Sequence, residues 1–117
     1  KECCYIVTGN LDVWIKELMK RIGLPMAHCF CSSASVVDDQ LVSVNSVIDK
    51  GMVVKQFILP VVAIGDGSND AEMVRLADVG IGFGGVRPVA YSLMSNATHA
   101  FYNEKRLCDF LRILFEE

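Results

Sequence analysis

Residues 61–73 read VVAIGDGSNDAEM. Four uncharged apolar residues, three of them β-branched, give way at once to Gly-Asp-Gly and then Ser-Asn-Asp. The first part reads as a strand buried on both faces. Glycines around an acid at its end read as a sharp turn, with the next helix starting directly behind it. A chain built on such a strand–loop–helix unit is constrained towards α/β architecture.

The flanking sequence repeats the alternation. CCYIV (3–7) predicts a buried strand. LDVWIKELMKRI (11–22) has apolar residues at 11, 14, 15, 18, 19 and 22, one face of a helix. Asn10 suits its N-cap, and Gly23 and Pro25 stop it. AHCFC (27–31) predicts a second strand, and SVVDDQLVSV (35–44) a hairpin turning at Asp38-Asp39-Gln40. A short helix is expected from Lys50 to Leu59, ended by Pro60. After the strand 61–64 come a helix over 70–76, a strand at 79–83 and a helix from Pro88 to Met94. A strand at 98–102 and an amphipathic helix over 104–115 close the chain. Strands separated by helices imply a parallel sheet covered on both faces.

The 117 residues suit one domain, and a 52% apolar fraction supports a packed core. A net charge of −3 gives no broad basic footprint for nucleic acid and no polybasic segment for a membrane surface. The longest uncharged apolar run, Phe57 to Ile64, is eight residues, too short to span a bilayer. No signal peptide is visible. Residue 1 is Lys, which suggests a fragment or a processed product. The five cysteines are odd in number and form no Cys-x-x-Cys pair. They are expected as buried thiols in a reducing cytoplasm, where the sequon Asn96-Ala97-Thr98 is incidental. Gly80-x-Gly82-x-x-Gly85 matches a dinucleotide fingerprint by letters only, since it does not join the first strand and helix of a βαβ unit.

Three polar groups fall near strand ends or helix starts, where open α/β sheets bind ligands. Thr8-Gly9-Asn10 follows the first strand, and its hydroxyl with nearby backbone N–H groups suits an anion or a plain helix cap. Asp66, between Gly65 and Gly67, is a hard oxygen donor suited to Mg²⁺. Asp66, Asn69 and Asp70 equally suit a turn bonded to its own backbone. Lys50 begins a helix, where a cation is unhelpful to the dipole but suited to phosphate charge. Lys55, placed mid-helix, is the competing lysine. A hydroxyl, a lysine and an Asp cluster together suit a phosphate-plus-Mg²⁺ site.

In this order the residues resemble the haloacid dehalogenase superfamily, most closely its phosphoserine-phosphatase-like branch. The resemblance rests on YIVTGN with Thr8, DKG with Lys50, GDGSNDAEM, and the hairpin SVVDDQLVSV ahead of the lysine. ADVGIGFGGVRPV also looks like the branch's strand and following helix. It implies a three-layer Rossmann-like core with a parallel sheet and a small β-hairpin, of which residues 1–117 are the C-terminal part. It implies Mg²⁺-dependent hydrolysis of a small phosphorylated substrate through an aspartyl-phosphate. By that resemblance Thr8 and the Gly9 N–H bind phosphate, and Lys50 binds phosphate and the nucleophile's charge. Asp66 ligates Mg²⁺, and Asn69 and Asp70 position phosphate, lysine or metal-bound water, with Asp70 joining Asp66 at the metal.

The family's nucleophile lies in an Asp-x-Asp motif, and none occurs in the 117 residues. Asp38-Asp39 sits in the hairpin and does not substitute. The nucleophile strand would lie between strands 3–7 and 61–64, so each is expected to lack a partner unless an upstream segment or another chain completes the sheet or the two strands pair directly in an altered sheet. The cap that selects substrate is expected to be missing with it. The chain alone is therefore expected to be inactive. Two other readings stand: a phosphorylation-domain fragment of a cation-transporting P-type ATPase, and a non-catalytic binding or regulatory domain of the same fold. The hairpin before Lys50, and Thr-Gly-Asn where pumps carry Thr-Gly-Asp, favour the phosphatase.

Overall fold

The computed structural model describes residues 4–58 and 60–115, so Cys3 of the first expected strand and Leu59 of the expected helix lie outside it. The chain divides into two compact units, residues 1–49 and 50–117.

In the first unit, β1 (Ile6–Leu11) leads into α1 (Asp12–Ile22), and a short turn over Met26–His28 precedes β2 (Cys29–Val37) and β3 (Gln40–Ser46). The sheet order is β1-β2-β3, parallel between β1 and β2 and antiparallel between β2 and β3. The strands expected at 27–31 and from 35 are thus one strand. Its first half pairs with β1 and its second half with β3, so long-range ladders on both sides carry it through Ser32 and Ser33. The hairpin turns where expected. Asp38 and Asp39 both have positive φ, 52° and 62°, as a two-residue hairpin loop of primed type requires. Asp is among the residues that tolerate this region.

β1 runs further than the expected 3–7. The ladder pairs Val7 with Phe30 and Leu11 with Ser32, so Thr8, Gly9 and Asn10 bulge from it. The Thr8 hydroxyl accepts the Asn10 N–H at 3.1 Å, and the Asn10 side chain accepts the Leu11 N–H at 2.8 Å. Asn10 is therefore not the helix cap. Leu11 is, in extended conformation and with no side-chain cap bond. Gly23, at φ 76°, ends α1, and the Leu24 N–H reaches back to the Met19 carbonyl, a Schellman-type stop. Only Ile15 and Met19 of α1 are buried, packing with Leu24, Ile6, Cys29 and Cys31. Trp14, Leu18 and Ile22, expected on the same apolar face, are exposed.

In the second unit, α2 (Lys50–Lys55) is followed by β4 (Val62–Gly65), α3 (Ala71–Leu76), β5 (Val79–Phe83), α4 (Tyr91–Met94), β6 (His99–Phe101) and α5 (Glu104–Phe115). β4, β5 and β6 form a fully parallel sheet in that order. Its core holds Val53 and Val54 of α2, Ala63, Met73 and Val74 of α3, Ile81 and Leu93. Gly80 lets α3 lie directly on β5: a Cβ there would meet the Val74 carbonyl.

Several boundaries differ from expectation. α2 ends at Lys55 rather than Leu59, because the Gln56 and Phe57 N–H groups bond three residues back and tighten the last turn. The helix expected from Pro88 begins only at Tyr91. The Ala90 N–H instead donates to the Asp66 carbonyl at 2.8 Å, which keeps Ala90 extended. VVAI is not buried on both faces: Ala63 is buried, but Ile64 is 39% exposed. Its strand β4 has one hydrogen-bonded neighbour, β5, just as β1 has only β2. Both expected strands thus carry a ladder on one side alone among the described residues. The thiols are less hidden than expected, with Cys4 and Cys108 exposed and Cys29 and Cys31 half-buried.

Candidate functional site: the loop after β4

β4 ends at Gly65, paired with Gly82 of β5, and the chain leaves the sheet at Asp66. Ser68–Asp70 makes one tight turn, closed by the Asp70 N–H donating to the Gly67 carbonyl at 3.0 Å. α3 starts immediately after it. The Asp70 side chain then folds back over the turn. Its Oδ2 accepts the Asp66 and Gly67 N–H groups at 3.2 and 3.3 Å. Its Oδ1 accepts from Lys50 Nζ at 2.5 Å. The two side chains are only 10–11% exposed, so this is a buried ion pair. A buried carboxylate is tolerable only when paired and hydrogen-bonded, and Asp70 has both kinds of partner. Lys50 of α2 is thereby pinned at the tip of β4. Lys55 is exposed at the far end of α2, where its charge acts on Glu72 instead.

Gly65 makes this arrangement sterically feasible. A Cβ on it would fall 2.5 Å from the Asp70 Cβ and 2.8 Å from Asp70 Oδ2. Gly67 has a softer neighbour, since a Cβ there would meet only Asn69 Oδ1, at 2.8 Å. Asn69 itself is exposed on the turn.

Asp66 is held differently. Its backbone carbonyl accepts from Ala90, and its Oδ2 accepts from Arg87 Nε at 2.7 Å. The Asp66 side chain is 26% exposed and that of Arg87 73%. The Asp66 carboxylate, by hydrogen bond and charge, holds the Arg87 guanidinium proton more firmly than usual, with a further contribution from Asp70. Sequence reasoning missed Arg87. The one available signal was an arginine before a proline just beyond the end of β5, in GGVRPV.

Asp66, Asn69 and Asp70 thus belong to one loop region of the second unit, and Lys50 reaches it from α2. Thr8 and Gly9 belong to the first unit, on the β1 bulge, where a Cβ on Gly9 would meet nothing within 4 Å. Among the described residues no three His, Cys, Asp or Glu side chains gather into a metal cage. The donor set still fits Mg²⁺, which is satisfied by one or two carboxylates and completes its shell with water and substrate oxygen. Concavities along Val54–Asp78 and beneath α5 include none of Lys50, Asp66 and Asp70.

No protein-family model and no curated protein sequence matches the chain. Solved structures do. A phosphoserine phosphatase in apo form superposes with a TM-score of 0.74 at 22% identity, over 94% of this chain and 57% of that one. A probable phosphoserine phosphatase from Vibrio cholerae gives 0.66 at 20%, over 84% of this chain and 32% of that one. A HAD family hydrolase from Salmonella enterica subsp. enterica serovar Typhi gives 0.69 at 20%, over 93% and 39%. The chain therefore has the α/β fold of these phosphatase-type proteins and spans little more than half the length of the first of them.

Proposed function

We propose that this chain is part of a Mg²⁺-dependent phosphomonoesterase of the haloacid dehalogenase type, supplying phosphate- and cation-binding groups but not the nucleophile. The observation that carries the reading is the Lys50–Asp70 pair, little exposed, whose carboxylate also accepts the Asp66 N–H at the end of a parallel strand. It fixes a cation next to the loop that carries Asp66, where charge on a transferring phosphoryl group can be neutralised. The fold shared with phosphoserine phosphatases and a HAD hydrolase supports it.

In this reading Lys50 carries a charge that faces a phosphate oxygen. Asp70 fixes the direction of Lys50 and closes the turn that presents Asp66. Asp66 holds Mg²⁺, with Asp70 as the second acid of the loop and Asn69 directed to phosphate. When bound, Mg²⁺ supplies Lewis-acid stabilisation of negative charge on the phosphoryl group. Thr8 and Gly9 take phosphate oxygens by the family resemblance alone. The covalent step, in which an aspartate oxygen bonds to phosphorus while the ester P–O bond breaks and the alcohol leaves, needs a residue from outside these 117 positions. The substrate class is a small phosphomonoester.

The test uses the full natural chain with a generic phosphomonoester. Lys50→Ala is expected to cut turnover by about 100-fold or more, the scale on which electrostatic groups act. Lys55→Ala is expected to leave it near wild type. Equal effects would mean that Lys50 has no special place in the chemistry.

A further inference from the structure

The loop after β5 is fastened to Asp66 twice. The Ala90 N–H donates to the Asp66 carbonyl, and Arg87 Nε donates to the Asp66 carboxylate. The first bond is backbone to backbone and holds the segment in place. The second is made by a side chain that is 73% exposed. Exposed ion pairs of this kind are weak, typically worth a few-fold in an equilibrium. Such a guanidinium is easily displaced. A divalent cation at the same carboxylate carries twice its charge and would repel it at close range.

We propose that Arg87 and a divalent cation compete for the Asp66 carboxylate. The guanidinium occupies it in the cation-free chain and swings out when the cation binds, while the Ala90 bond keeps the loop where it is. Arg87 thereby sets the cation concentration at which the site loads. The proposal rests on the reading of Asp66 as a cation ligand.

Titration calorimetry of the full natural chain with MgCl₂ separates the two claims. Asp66→Asn is expected to remove most of the binding. Arg87→Ala, and Arg87→Gln, which keeps the stem without the charge, are each expected to tighten the Mg²⁺ dissociation constant by about 2- to 5-fold. The Arg87 Nε–H resonance of the wild type is expected to shift on saturation with Mg²⁺. Unchanged or weaker binding in both Arg87 variants, with Asp66→Asn still impaired, overturns the competition and leaves the Asp66 reading standing. Wild-type binding by Asp66→Asn overturns the Asp66 reading, and the competition falls with it.

Discussion

Replacing Gly65 by Ala puts a methyl group where the Asp70 side chain already lies. The new carbon would sit 2.5 Å from the Asp70 Cβ and 2.8 Å from both Cγ and Oδ2. Ordinary carbon contacts are about 3.5–4.0 Å, so roughly 1 Å of room has to be made. Asp70 has little freedom to retreat, since Lys50 and two backbone N–H groups hold its carboxylate. Overpacking of this kind costs about 1–3 kcal/mol. Loosening a hydrogen bond to a charged group adds about 1.5–3 kcal/mol if it is lost outright. Taking the bonds as strained rather than lost, Gly65→Ala is expected to destabilise by about 2–4 kcal/mol. Gly67→Ala should cost under about 1 kcal/mol, because only the end of an exposed Asn69 has to turn away. Gly9→Ala, with open space around it, should stay within about 0.5 kcal/mol. Urea unfolding followed by circular dichroism, with m-values checked for constancy, measures all three. A Gly65→Ala midpoint equal to wild type, or a larger loss at Gly67, would refute the packing argument.

Two further outcomes follow from the same structure. Lys50→Met leaves the Asp70 carboxylate buried without its cation and should cost about 3–5 kcal/mol; adding Asp70→Asn should recover part of this, and strictly additive losses in a double-mutant cycle would contradict the pairing. The Cys29 thiol is pushed up to about 11, chiefly by burial and then by Cys31, so iodoacetamide should label Cys4 and Cys108 near pH 8 while Cys29 stays largely unmodified. Because its folded value lies above the ordinary 9.0, the unfolded chain loses this proton first. The Cys29 contribution to stability is therefore full below pH 9 and falls between pH 9 and 11. Early labelling of Cys29 would count against its burial.

Elements set by local chemistry were legible in the sequence. The Asp38-Asp39 turn, β5 and α5 fall where residue type and periodicity put them. The Lys50–Asp70 meeting, by contrast, joins residues 20 apart, and only the motif order hinted at it. Long-range partners account for the misses. β1 runs on through Thr8–Asn10 because Leu11 pairs with Ser32, which no local pattern announces. Pro88 resembles a helix start, yet the bond from Ala90 to Asp66 delays the helix. Ile64 reads as doubly buried by composition, but among the described residues β4 has a hydrogen-bonded neighbour on one side alone, which is a property of topology. Arg87 is a lone arginine in a loop, and such a residue carries no spacing signal.

The loop after β4 is proposed to serve a cation-dependent phosphoryl-transfer site. Release of phosphate from p-nitrophenyl phosphate by the full natural chain, with Mg²⁺ and after EDTA, tests it most directly. Turnover is expected to be abolished by EDTA, restored by Mg²⁺ and lowered by about 100-fold or more in Asp66→Asn. Turnover indifferent to EDTA, or an Asp66→Asn variant as active as wild type, would contradict it.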